Sequence, residues 1–151
     1  MDTAKVKLSY QMACVISGLE NEANDCSVKA LAITGNLQYK QAQETLAKAG
    51  RIKRRGVNSI IIHRAYTGAG LSLVGVFGLS RWNNGTRMAC ENTPILKGCT
   101  LGSFAKMHSK GSYVAIVTGH AVPVIDGIIA DDTPAGKRVH VAYVKAERDI
   151  K

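Results

Sequence analysis

The spacing of apolar positions changes at Tyr113: before it the repeats are mostly of three and four residues, and after it of two. Val28, Leu31 and Ala32 recur at helical spacing behind Asn24 and Asp25, both good N-cap residues. A helix is therefore predicted to begin at or beside Cys26 and to stop near Gly35. Ala42, Leu46 and Ala49 repeat the spacing from about Tyr39 to Ala49, with Lys40, Gln43 and Glu44 facing out and Gly50 just past the end. Asn58 or Ser59 heads a third helical stretch through Ile60 to His63 and Tyr66, closed by Gly68 and Gly70, although three consecutive Ile suit a strand equally. Val6, Leu8, Tyr10 and Met12 alternate imperfectly with Lys7, Ser9 and Gln11, so residues 6–16 read as a strand or extended lead-in. Gly18 to Asp25 then reads as a polar loop.

Residues 71–79 look like a short buried strand, and 80–99 like a long connection rich in Asn, Gly, Pro and Cys. Thr100 caps a short helix with Leu101, Phe104 and Ala105 on its inner face, cationic Lys106, His108 and Lys110 at its end, and Gly111 closing it. Period two then gives a strand from Tyr113 through Val117, another from His120 to Ile125, an Asp126-Gly127 turn, a return from Ile128 to Asp131, and a last strand from Val139 to Val144. Helices first and antiparallel strands last predict an α+β fold, N-terminal helices packed on a C-terminal antiparallel β-sheet, as a single domain over 1–151.

Composition is consistent with this. At 151 residues, with 46% hydrophobic and 21% charged residues, the chain fits one globular domain and excludes disordered or collagen-like classes. A chain of this size buries roughly 68 to 70% of its unfolded surface and needs neither disulfides nor a structural metal. No basic segment leads into a long apolar one at the start, and the apolar stretch at Leu71 to Leu79 is broken by Ser and Gly, so a cytoplasmic-type chain is expected.

Charge narrows the partners. Twenty Lys and Arg against 11 Asp and Glu give a net +9, which favours acidic proteins, nucleic acid or anionic surfaces. Much of the excess lies in Arg51, Lys53, Arg54 and Arg55, candidate partner-binding residues, although such a run is more often a solvated loop. No aromatic interleaves it, as single-strand binding would require. Trp82, among Asn83, Asn84 and Gly85, is a further candidate for a loop bordering a cleft.

Cys14, Cys26, Cys90 and Cys99 show no Cys-x-x-Cys spacing and the four His form no ligand pattern, so no zinc site is predicted. Cys26 stands out: a thiol in the first turn of a helix lies beside unpaired N–H groups and the positive end of the dipole, both of which favour the thiolate. The competing reading is a small buried hydrophobe, and the other three cysteines keep that reading. A base is offered by His120. A two-residue turn at 126 and 127 pairs 125 with 128 and 122 with 131, which sets Asp131 diagonally beside His120, as a nucleophilic triad needs. Asp126, six residues along the strand, lies roughly 20 Å away and serves the turn. His63, His108 and His140 have no Cys or acid in triad order.

These segments resemble a family. Asn24-Asp25-Cys26-Ser27-Val28-Lys29-Ala30-Leu31-Ala32, Ala49-Gly50-Arg51 with its basic tail, Thr100-Leu101-Gly102-Ser103-Phe104, and Gly119-His120-Ala121-Val122 with Asp126-Gly127 are similar to small papain-like cysteine peptidase domains encoded by bacteriophages, over about residues 20–132. The order Cys, His, acid is also that of bacteriocin-processing and papain-type peptidases, and Asp25-Cys26 with Ala30-Leu31 is distantly similar to the D-G-x-C motif of the ovarian-tumour-domain deubiquitinases. The resemblance implies a papain-like fold with Cys26 as nucleophile, His120 as general base and acid, and Asp131 as orienting residue. A peptide or protein of phage or host is the implied substrate, with no metal or organic cofactor and no membrane. Papain-type enzymes carry a Gln six residues before the Cys; here that position is Glu20, so Asn24, Asn21 and the Cys26 backbone N–H are the candidate oxyanion donors. Small Ser27 and the missing neighbouring Trp also depart from papain. Two other readings are an inactive papain-like phage module that binds nucleic acid or an acidic host protein, and a structural virion or assembly protein.

Overall fold

The computed structural model describes residues 3–77 and 95–145. The three-and-four spacing does form helices: α2 (Cys26–Gly35), α3 (Tyr39–Ala49) and α4 (Ser59–Gly68). Gly50 ends α3 at φ 122°, a backbone that L side chains resist, and its N–H closes onto the last carbonyls of the helix. The Asn58 side chain accepts the Ile61 N–H at 2.9 Å, and that cap draws the three isoleucines into helix rather than strand.

The extended lead-in expected at residues 6–16 is instead α1 (Thr3–Leu19). Its buried residues Val6, Ala13 and Ser17 follow helical spacing, but Leu8, Met12, Val15 and Leu19 face solvent at 53, 55, 62 and 82% exposure. Apolar residues on both faces blurred the period of 3.6 and left a false alternation.

Strands β1 (Leu71–Phe77), β2 (Ile95–Leu96), β4 (Ser112–Val117), β5 (His120–Ile125), β6 (Ile128–Ile129) and β8 (Val141–Lys145) form a six-stranded sheet in the order β2-β1-β8-β4-β5-β6. All neighbours are antiparallel except β1 and β2. β3 (Cys99–Thr100) and β7 (Arg138–Val139) make a separate pair, followed by α5 (Leu101–Met107), whose first turn Thr100 caps. Short strands β2 and β3 thus lie at the end of the stretch expected to be irregular, while Trp82 and Cys90 lie outside the described residues. The expected last strand is two, broken at His140: its N–H donates to the Ile116 carbonyl and its own carbonyl accepts from Phe77.

The chain is a mixed fold of helices and a mainly antiparallel sheet. Alternate strand residues separate two cores: Val114, Ile116, Val141 and Tyr143 pack with α2, α3 and α4, whereas Ala115, Val117, Val122 and Ala142 pack with Phe104 of α5. Asp126 and Gly127 at φ 49° and 77° turn β5 into β6, keeping the predicted pairing of Ile125 with Ile128. Among the described residues no helix is long and apolar enough to cross a membrane.

Candidate active site

The first turn of α2 faces the start of β5, and this brings Cys26 to His120. Asp25 holds the N-cap position, but its side chain caps nothing; its buried carboxylate accepts the Tyr39 hydroxyl at 2.7 Å and lies 3.6 Å from Lys29, fixing α2 against α3. The N–H groups at the helix start therefore stay free of side-chain caps. The Cys26 thiol is half-buried, and burial opposes its ionisation. His120 and the N–H groups of Ala121 and Ser27 outweigh that opposition and hold the thiol below its ordinary value.

His120 Nε2 lies 2.7 Å from Asp131 Oδ2, with the acid side chain 2% exposed. A carboxylate can only accept, so this nitrogen carries the proton and Nδ1 is left for the sulfur. The Asp131 bond, then the Cys26 sulfur, push His120 up to about 9 against the effect of burial. Burial would raise Asp131, but the bond from His120 and the Thr133 N–H, 2.8 Å from Oδ1, hold it below the usual carboxylate value. The lowered thiol and the raised imidazole both shift the balance towards a thiolate–imidazolium pair.

Two further residues support this geometry. The return strand expected from Ile128 to Asp131 ends at Ile129, and Lys7 of α1 donates to the carbonyls of Ile129 at 2.8 Å and Asp131 at 3.1 Å, bracing the bend just past β6 that carries the acid. Thr133 was legible as an Asx-turn partner two residues after Asp131. Lys7 had no sequence signal, because its contacts span more than 120 positions and the lead-in was read as extended.

A cleft of about 980 Å³ opens over the thiol. Val57, Ile62, Ile116 and Val117 give it an apolar wall, and among the described residues no acid, Lys or Arg lines it. Ser27 Oγ, buried beside the cleft, has no hydrogen-bond partner among the described residues. His140 also borders the cleft, its Nε2 2.8 Å from Thr118 Oγ1; as a lone His it had offered no signal.

The remaining candidates divide. Asn24 lines the cleft and donates its amide to the Arg54 carbonyl at 3.1 Å. Asn21 is not in the lining; its carbonyl and Oδ1 accept from Arg54 Nη1 at 2.9 and 3.0 Å. Glu20 turns towards Lys40, 3.8 Å away, outside the lining. Arg51 is not a surface residue: it is 6% exposed and pairs in two bonds with Glu22, whereas Lys53, Arg54 and Arg55 are exposed. Cys14 and Cys99 lie away from the cleft lining, and burial pushes the Cys99 thiol up. His63 bonds the Tyr143 hydroxyl at 2.9 Å, and His108 stacks on Phe104 and Tyr113. Among the described residues no three His, Cys, Asp or Glu side chains gather so as to hold a metal ion.

Asp131→Asn is expected to let His120 fall from about 9 towards 6.5, since it removes the charge that stabilises the imidazolium. A pH titration of the His120 ring by NMR reads this; a ring that still titrates near 9 would show that Asp131 does not set its charge.

No family model, curated protein or solved structure matches the chain.

Proposed function

We propose that this protein is a papain-like cysteine peptidase or a related thiol hydrolase, acting on a peptide or isopeptide bond. One observation carries the reading: a helix-start thiol, a strand imidazole and a buried carboxylate meet in triad order at the mouth of an apolar cleft. The Cys26 thiolate attacks the carbonyl carbon, and the developing oxyanion faces the N–H of Cys26, with the Asn24 amide as second donor. His120 gives its proton to the leaving amine, which departs as the thioester forms. It then takes a proton from water, whose oxygen attacks the thioester, and keeps that proton as the sulfur leaves as thiolate and the acid departs. Asp131 holds the ring in the required tautomer throughout. Glu20, turned towards Lys40, leaves the oxyanion position free of its charge. A phage or host protein substrate and action in the cytoplasm belong to the same reading.

The pH dependence of iodoacetamide labelling tests it. Cys26 is expected to label rapidly near pH 6, where an ordinary thiol is almost wholly protonated, and well ahead of Cys14 and Cys99. Labelling of Cys26 no faster than that of Cys99 would overturn the proposal.

A further inference from the structure

Among the described residues the cleft lining holds no acid, Lys or Arg, so its rim is where fixed charge can select substrates. One end of that rim is the turn after α3. Arg54, at φ 69°, is held there by its N–H on Glu22 Oε1 at 2.9 Å and its guanidinium on Asn21. Arg55 N–H reaches the Ile52 carbonyl at 3.0 Å, and Arg51 Nε reaches the Arg55 carbonyl, also at 3.0 Å. The Asn24 amide joins this turn to the residue two before the thiol, and Gly56 and Val57 carry the chain on into the cleft wall. A clamped backbone thus carries the exposed Lys53 and Arg55 in the turn that leads directly into the cleft wall at Gly56, with no partner for either among the described residues.

We propose that Lys53 and Arg55 bind acidic side chains of the protein substrate, flanking the bond that is cut; this rests on the hydrolase reading above. The cleft sets an apolar group against the thiol and the rim adds two carboxylates beyond it. Nucleic acid fits less well. Arg51 is neutralised by Glu22, leaving three exposed cations in the turn where a phosphate tract engages roughly six or more, and no aromatic from 51 to 57 offers a stacking face.

The test uses an acetylated, amidated octapeptide, Glu-Glu-Gly-Val-Ala-Gly-Glu-Glu, and its twin with Gln for every Glu, so that either binding direction places charge on the rim. Protection of Cys26 from iodoacetamide reads binding without turnover. At low salt the Glu peptide is expected to protect at about three- to tenfold lower concentration, a preference that fades at high salt, as exposed ion pairs do. Lys53→Ser/Arg55→Ser is expected to erase the preference, and the melting temperature of this variant shows that the fold is kept. Equal protection by the two peptides, no protection by either, or a preference that survives in the double variant overturns the inference. So does stronger, Lys53- and Arg55-dependent protection by oligothymidylate. Fast alkylation of Cys26 with no Glu preference overturns this site alone. Alkylation of Cys26 no faster than that of Cys99 overturns the hydrolase reading, whatever the peptides do.

Discussion

His120→Ala is expected to slow alkylation of Cys26 at pH 6, and to slow hydrolysis by about 10² to 10⁴. Burial by itself pushes this thiol up, and the largest influence against burial is His120. Without the imidazole, the N–H groups of Ala121 and Ser27 are left to oppose burial, and a thiol near an ordinary value of about 8.5 is only about 0.3% ionised at pH 6. The wild-type protein, its thiol lowered and His120 raised to about 9, keeps the ion pair between those two values. Thiolate reactivity should therefore rise as pH passes the lowered thiol value, and catalysis should fall again as His120 loses its proton near 9. Above that pH both proteins carry a thiolate and their alkylation rates should converge. Convergence separates loss of the ion pair from loss of the fold, which would alter labelling at every pH. Hydrolysis should not converge, because the leaving amine has lost its proton donor, a contribution of about 10² to 10⁴. Equal alkylation rates at pH 6 would remove the ion pair and, with it, the proposed mechanism.

Most of this site could be read from the sequence because each part depends on local chemistry. The start of α2 followed from the spacing within nine positions, although Asp25, read as a cap, holds the N-cap position without a side-chain cap bond. The meeting of His120 with Asp131 followed from the turn at Asp126-Gly127, which sets the register of β5 against β6. What the sequence did not reveal was non-local. The exposed apolar residues of α1 disguised a helix, and Lys7 reaches the Asp131 carbonyl across nearly the whole chain. Arg51 was read with its basic neighbours because the run looks uniform. The difference between a buried cation and a solvated one lies in Glu22, 29 residues earlier.

Glu22→Ala is expected to destabilise the fold by about 3 to 5 kcal/mol, because it leaves the Arg51 charge buried without its partner. The Glu22 and Arg51 side chains are 0 and 2% exposed, and Arg51 Nη1 and Nη2 donate to Glu22 Oε2 and Oε1 at 2.8 and 3.1 Å. Gln43 Nε2 and the Arg54 N–H donate to the same carboxylate at 2.7 and 2.9 Å, so removing it also frees α3 and the basic turn. These bonds, above all those from Arg51, hold the Glu22 carboxyl down from 4.5 to about 2 despite burial. A depressed acid stabilises the fold above its unfolded value and loses that contribution as pH falls towards the folded one. Wild-type stability should therefore drop between about pH 4.5 and 2, while Glu22→Ala should lack this part of the drop. Urea denaturation at pH 7 and at pH 3 measures both effects. Glu22→Leu/Arg51→Met, which removes both charges, should lose less than Glu22→Ala. A double variant no more stable than the single one would place the cost in the freed turn rather than in the stranded charge.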